Sequence, residues 1–297
     1  MRRASLVSRF SRPAAAIAAA HAISAAAGGG AVFPYCQIVD RRPEPSAGVQ
    51  WSLTPSRRVE GGGRFGLAET RGWGNLYRFD TGRGDVELSA EARLWVPTEG
   101  GPPALSELLA HLRLNLQWDL RGYNGVTVRL EAEPGLYAEG AALGQGFDVP
   151  FSVTGIQSFT DRCSGFAGLR FRARDDRVVD PALGLRWSPA DPLILDVGYP
   201  FSRALLRLTE WGTIAAGFEL NRIYEFGLKD SDERERFRYL ESRYFGAVAL
   251  AIAERWNVEL RGGRVAGRDF GFETGPDSGR RKMESGYFIA LGITGSF

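Results

Sequence analysis

Acid–base and nucleophilic chemistry has few candidate residues in this chain of 297 amino acids. The chain contains two histidines, and His111 is the one that lies beyond the first 27 residues. In lipid hydrolases and deacylases a histidine can act as general base toward a serine hydroxyl, and Ser89 is the serine that such a mechanism would use here. No G-x-S-x-G nucleophile elbow accompanies the pair. The sequence therefore favours a polar strand residue at His111 and predicts no catalytic residue.

Charged side chains recur at every second position in three consecutive segments, 86–96, 111–121 and 126–133. A period of two is typical of β-strands with one apolar and one polar face. The charged residues that we expect to project into a shared lumen are Glu87, Glu91, Arg93, Arg113, Asp119, Arg129 and Glu131. They could line a pore and sort solutes by charge, or they could join across a narrow lumen as ion pairs. Because opposite signs alternate at adjacent positions, ion pairing is the favoured interpretation.

The elements that would position these side chains are β-strands. The chain has 38 glycines, 11% aromatic residues and two methionines, a composition that favours turn-rich β-structure over a helical bundle. Further strands are predicted at 65–80, 151–159, 165–174, 182–188, 193–199, 203–209, 213–227, 240–253, 257–267 and 285–297.

The connections between these strands are of two kinds. Short turns are predicted at 81–83, 122–125, 188–192, 209–212 and 254–256, and long polar loops at 97–109, 227–239 and 268–284. Strands of about ten residues with short turns at one end and longer loops at the other are typical of transmembrane β-barrels. The sequence thus predicts an all-β fold, a single antiparallel transmembrane β-barrel of about 12 strands (range 10–14), even in number, with short periplasmic turns and longer extracellular loops.

The first residues differ from the rest of the chain. Four arginines precede an alanine-rich run, no acidic residue occurs before Asp40, and Ala25 to Ala27 fit an A-x-A cleavage site. This pattern favours a secretory signal peptide over a mitochondrial transit peptide, which shares the Arg-rich, acid-poor character. We therefore expect a signal peptide at 1–27, a linker rich in Pro and Arg at 28–47 and a barrel at 48–297.

The end of the chain alternates up to its last residue. Tyr287, Ile289, Leu291, Ile293 and Phe297 share one face, and this ending resembles the C-terminal signal of bacterial outer-membrane proteins. The resemblance implies that the barrel-assembly machinery reads the final aromatic residue, and that the protein is located in the bacterial outer membrane. A last strand that closes a barrel must pair along its length, which agrees with an apolar ending.

A second resemblance covers residues 183–220, where one strand leads into a proline, the next contains an arginine and the third contains a glycine. Pro200, Arg207 and Gly217 occupy these places. In this respect the segment is similar to a family of uncharacterised outer-membrane β-barrel proteins. The resemblance implies the barrel fold and supplies no catalytic residues.

Charge and cysteine content limit the partners. Thirty-seven Lys and Arg against 35 Asp and Glu leave a net charge of +2, so we expect no nucleic-acid partner. Cys36 and Cys163 could form a disulfide or stay unpaired, and no metal site or cofactor is predicted. The expected partners are outer-membrane lipids and lipopolysaccharide. The balanced charged run 229–236 favours a solvated outer loop, and contacts from Arg234 and Arg236 to lipopolysaccharide phosphates are the alternative interpretation. The oligomeric state is left open.

The function predicted from these features is a non-enzymatic barrel, either a narrow channel for small solutes or a structural component of the envelope. Two alternatives remain at this stage. One is a lipid-modifying hydrolase that uses His111, and the other is a soluble secreted β-sandwich or lipocalin-like carrier in which the apolar faces pack on each other.

Overall fold

The computed structural model describes residues 46–98, 109–139, 147–171, 179–227, 236–272 and 279–296, and all regular structure in them is β-strand. Strand β1 spans Ser46–Arg58, β2 Arg64–Asp80, β3 Gly84–Pro97, β4 Leu109–Arg121, β5 Val126–Ala132 and Gly135–Glu139, β6 Phe147–Asp148 and Phe151–Thr160, β7 Cys163–Phe171, β8 Val179–Ala190, β9 Leu193–Tyr199, β10 Phe201–Arg207, β11 Gly212–Gly227, β12 Arg236–Ala253, β13 Trp256–Phe272, and β14 Gly279–Met283 and Gly286–Ser296. No helix suited to crossing a membrane is present in these ranges.

The strands form one closed antiparallel barrel. Strands β5, β6 and β14 each consist of two segments that lie along the same neighbour, so the 17 segments of the sheet make a wall of 14 strands. Each strand pairs with the next along the chain, and β14 returns to β1 in a register from Ser46–Ser296 to Leu53–Ile289. Closure leaves no strand edge with unpaired backbone groups, which hydrocarbon would not tolerate. The prediction of an all-β, closed antiparallel barrel is confirmed.

The predicted number of about 12 strands is too low. The strand that was missed is β1, most of which lies beyond the expected linker at 28–47. Its outward residues Trp51 and Leu53 alternate with Gln50 and Ser52, but small residues precede this stretch and Pro55 follows it. Because the alternation is limited to a few residues, it is too short to predict a strand from the sequence.

The two ends of the barrel differ. We call "turn end" the end with the short connections 81–83, 122–125, 161–162, 191–192, 208–211 and 254–255, where Ser46 and Ser296 also lie, and "loop end" the opposite one. The predicted loops 227–239 and 268–284 are too long, because β12 begins at Arg236, β13 ends at Phe272 and β14 begins at Gly279. These strand ends carry many charged residues, and their polar composition therefore predicted loops instead of strands.

The wall is lowest at β9 and β10. Each has seven residues, and Pro200 alone connects them at the loop end. Strand β11 extends well beyond them, and its last residue, Gly227, pairs in parallel with Ala138 of β5. Since β5 and β11 are not neighbours in the wall, this pairing brings the end of β11 across the mouth of the barrel.

The outer surface of the wall is apolar. On β4, Leu112, Leu114 and Leu116 are 44%, 46% and 47% exposed, and Val128 of β5 is 36% exposed, so no second protein layer covers them. Exposed aromatic residues ring the turn end: Tyr77, Phe79, Trp118, Phe159, Trp187, Trp211 and Trp256. An apolar band with an aromatic girdle at its border is the surface that a lipid bilayer requires.

We expect Leu114→Arg to destabilise the folded barrel by about 2–4 kcal/mol, the cost of placing Arg on a lipid-facing site near the bilayer midplane. The measurement is the free energy of unfolding in lipid vesicles, from a urea titration followed by tryptophan fluorescence.

Tyr123→Arg is the matched control, because Tyr123 lies in the 122–125 turn and is 94% exposed. It should cost much less, since charge is tolerated near the interface. Equal losses in the two variants would contradict a lipid-facing wall at Leu114.

Candidate functional site

The candidate site is the lumen, whose middle part contains a chain of buried charges. We call it the "ion belt": Glu69, Arg71, Glu91, Arg93, Arg113, Glu133, Arg170 and Arg243. Strands β2 to β5 contribute six of these residues, and β7 and β12 one each. They lie on the inward face because each alternates with a more exposed neighbour on its strand.

Glu91 is the centre of the ion belt. Its Oε2 accepts hydrogen bonds from Arg71, whose Nε lies at 2.8 Å and Nη2 at 2.6 Å. Its Oε1 lies 2.5 Å from Arg93 Nε and 3.1 Å from Arg113 Nη2. One carboxylate therefore serves three guanidinium groups. Short charge-assisted bonds of this kind offset the cost of burying the charges.

The belt continues on both sides of Glu91. Arg113 Nη1 lies 2.7 Å from Glu133 Oε2, which also accepts a hydrogen bond from Arg170 of β7. On the other side, Arg93 Nη1 lies 3.9 Å from Glu69 Oε1.

Some ion pairs join strands that are not neighbours. Arg243 Nη2 of β12 lies 3.8 Å from Glu69 Oε2 of β2, although β13, β14 and β1 separate these strands in the wall. Arg261 Nη2 of β13 lies 2.5 Å from Glu219 Oε1 of β11, with β12 between them. Such contacts cross part of the lumen instead of following its wall. The side chains thus narrow the lumen at this depth.

The seven residues expected from the sequence all lie on the inward face. Glu91, Arg93 and Arg113 belong to the ion belt. Nearer the turn end, Arg129 forms a bidentate pair with Asp119, with both N–O distances at 2.7 Å.

The remaining two residues of that set make no ion pair with another described residue. Glu131 accepts a hydrogen bond from Ser152 Oγ at 2.7 Å, and Glu87 is buried opposite Gln117 on β4.

The sequence did not indicate that Glu69, Arg71, Glu133, Arg170 and Arg243 belong to the site. On β2 the inward face begins with apolar residues and the outward face has small ones, so that alternation between apolar and polar residues is weak. The parity of β2 places Glu69 and Arg71 on one face. Nothing in the sequence indicates their partners on other strands.

A cluster of apolar side chains fills the lumen at the loop end. We call it the "aromatic cap": Val59, Phe65, Leu67, Trp95, Leu109, Phe237, Tyr239, Phe270, Phe272 and Met283, all at most 9% exposed. The ring centroids of Phe65 on β2 and Phe270 on β13 are 5.7 Å apart, and those of Phe65 and Tyr239 on β12 are 5.9 Å apart. Strands that are not neighbours meet in it, so the cap covers the part of the lumen that β12 to β14 and β1 to β4 enclose.

His111 belongs to an aromatic stack and not to a catalytic pair. Its ring lies 4.1 Å from that of Tyr137 and 6.0 Å from that of Trp95, both in stacked geometry. Ser89 pairs with Asn115 across β3 and β4, four residues from His111, or about 14 Å along the strand. The hypothetical Ser89–His111 pair is therefore not formed.

The end of the last strand agrees in part with the expected assembly signal. Tyr287, Ile289 and Leu291 point outward and are exposed, and Ile293 is half-buried on the same face. Phe297, Cys36, the expected signal peptide at 1–27, nearly all of the linker and all but the last residue of the charged run 229–236 lie outside the described residues. The backbone of Arg236 begins β12.

Family models and curated proteins give no match to this chain. Among solved structures, the toluene transporter TodX of Pseudomonas putida is 8% identical, with 86% of this chain and 90% of TodX covered and a TM-score of 0.47. An outer-membrane channel from Pseudomonas putida F1 is 13% identical, with 90% and 100% covered and a TM-score of 0.43. The KdgM porin in complex with disordered oligogalacturonate is 10% identical, with 84% and 99% covered and a TM-score of 0.36.

These TM-scores are below 0.5, so we assign the protein class from the features of this barrel alone. The wall is closed, its strands are even in number, its outside is apolar and its inside is charged. The chain is a bacterial outer-membrane β-barrel. The predicted location is thus confirmed, and membership of the uncharacterised family that residues 183–220 resemble stays a prediction.

We expect Glu91→Gln to destabilise the barrel by about 3–5 kcal/mol, because three buried arginines lose their common carboxylate. The free energy of unfolding in lipid vesicles measures the effect.

The control is Asp191→Asn, which removes the exposed ion pair with Arg162 at the turn end. It should leave stability nearly unchanged, as exposed pairs contribute little. A Glu91→Gln barrel as stable as this control would mean that the ion belt is not what holds the inward face together.

Proposed function

We propose that the barrel is a narrow, normally closed channel for small solutes. The observation that carries this proposal is a lumen of buried, mutually paired charges below an aromatic cap. A purely structural barrel would be as stable or more stable with an apolar interior, because buried ion pairs rarely repay their desolvation. A polar interior is useful to a protein that passes polar solutes through the membrane. The turn end then faces the periplasm and the loop end the exterior.

The pairing within the ion belt provides a way to open a narrow path. Because Glu91 has three arginine partners, one of them can swing aside while the carboxylate stays paired. Arginine and glutamate side chains are long and have many rotamers, so such exchange leaves the wall intact. A path made in this way admits small solutes and no large ones.

The aromatic cap would act as the gate. Apolar constrictions close channels because water leaves them, and no water-sized polar path crosses a cluster of packed rings. Phe237 and Tyr239 belong to β12, whose hairpin partner β11 reaches over the mouth to β5. A shift of this hairpin would move the cap residues and the covering strand together.

A structural envelope component is the second candidate, and the filled lumen favours it. The two functions differ in whether the purified protein conducts ions. Enzymatic activity is not proposed, since the Ser89–His111 pair is not formed.

The proposed partners are membrane lipids, lipopolysaccharide and the barrel-assembly machinery. Lipid acyl chains contact the outward side chains of every strand, and lipopolysaccharide contacts the loop end. During biogenesis the barrel-assembly machinery binds β14, whose pairing with β1 completes the barrel.

We expect purified wild-type protein in planar bilayers to show rare openings of small conductance, and Phe237→Ala to increase the open fraction several-fold. Phe237 is 2% exposed in the cap, so its truncation leaves a gap between the rings. Single-channel recording measures this, after heat-dependent gel mobility has shown that both proteins are folded.

Tyr244→Ala is the control, because this aromatic ring lies on the outer face of β12 and is 46% exposed. This variant should show the same open fraction as the wild type. Absence of any opening in all three folded proteins would reject the channel and leave the structural role.

A further inference from the structure

One buried arginine in the lumen lacks a carboxylate partner. Arg268 of β13 is 2% exposed, and its Nε donates a hydrogen bond to Tyr239 Oη at 2.9 Å. Its two terminal nitrogens, Nη1 and Nη2, have no hydrogen-bond partner among the residues that the structure describes. A buried guanidinium with unused donors is costly, and most buried arginines of the ion belt avoid this cost by pairing. The arrangement at Arg268 therefore calls for a ligand.

A second arginine lies beside it. A Cβ atom built on Gly286 of β14 would be 3.4 Å from Arg57 Nε and 3.6 Å from Arg268 Nη1. The two nitrogens are thus no more than about 7 Å apart, on the inward side of a residue without a side chain. Arg57 Nε is also buried and without a hydrogen-bond partner. A small oxyanion between them would accept hydrogen bonds from both.

The hydrogen bonds of Arg268 lead through Tyr239 to the carboxylate of Glu241, which already accepts two hydrogen bonds. Glu241 accepts a hydrogen bond from Tyr239 Oη at 2.7 Å and one from Arg243 Nε at 2.6 Å. Tyr239 therefore stands between Glu241 and Arg268, and the carboxylate does not neutralise Arg268 directly.

The surrounding strand ends are basic. The described stretches 54–67, 267–272 and 279–286, which meet at the loop end, contain seven Arg or Lys and three Asp or Glu residues. Such an excess of positive charge raises the local concentration of anions.

We propose that Arg57 and Arg268 form a binding site for a small oxyanion, that is, inorganic phosphate or sulfate or the carboxylate or phosphate of a small solute. The Nη1 and Nη2 donors of Arg268 match two oxygens of such a group, and both arginines lie against Gly286, where no side chain separates them. The site rests on the proposed channel function, because it names small anions as the solutes of that channel. Since Tyr239 belongs to the aromatic cap, the anion binds directly against the gate.

The test uses the refolded full chain in detergent and inorganic phosphate as the probe. Phosphate should raise the midpoint of thermal unfolding relative to chloride at the same ionic strength, because a ligand of the folded state stabilises it. We expect Arg268→Gln to weaken the apparent phosphate affinity about tenfold or more, the effect of losing two charge-assisted hydrogen bonds. Arg268→Lys, which keeps the charge but not the planar fork, should weaken it less.

Two further variants separate the site from general charge effects. Gly286→Ala places a methyl group against both arginines and should weaken phosphate binding while leaving every charge in place. Arg162→Gln removes an exposed charge at the turn end and should leave binding unchanged. A phosphate-dependent rise that is equal in wild type, Arg268→Gln and Gly286→Ala, or no rise in wild type, would overturn the proposal.

Recordings in planar bilayers distinguish this inference from the proposed function. Phosphate binding without any channel opening would support the site and reject the channel. Channel openings without specific phosphate binding would reject the site and support the channel.

Discussion

The hydrogen-bonding demand of the backbone in hydrocarbon is the constraint on which the rest of the structure depends. Each N–H and C=O must find a partner within the wall, and the pairing of β14 with β1 from Ser46–Ser296 onward satisfies the last open edge. Closure also fixes the two faces of every strand. Leu114 and its outward neighbours face lipid because the alternate residues, including Arg113, face the lumen.

Closure creates a second demand inside the barrel, since charges that leave water must be paired. The ion belt meets it with arginines that reach across the lumen, as from Arg243 to Glu69. Long side chains from strands that are not neighbours thus fill part of the lumen. Arg268 is a buried arginine outside this pairing, and a bound anion would satisfy its free donors.

The barrel class and the faces of β3, β4 and β5 could be predicted because consecutive residues there alternate without interruption. Strand β1 and the loop-end parts of β12, β13 and β14 could not. Their inward face combines aromatic and charged residues, as in Phe237 and Phe270 beside Arg268, so polarity no longer distinguishes the two faces. Contacts such as Arg243–Glu69 could not be predicted, because sequence patterns indicate neighbours along the wall and not partners inside the lumen.

The central claim is that the lumen is filled by its own side chains, and spin-label accessibility on β4 tests it most directly. Labels are placed singly at Leu116→Cys and Gln117→Cys, in a chain where Cys36 and Cys163 are serine, and the protein is reconstituted in lipid. We predict that the label at 116 is accessible to oxygen dissolved in the bilayer, and that the label at 117 is accessible neither to oxygen nor to a water-soluble nickel reagent. High accessibility of position 117 to the nickel reagent would contradict the account, because it would show an open aqueous pore.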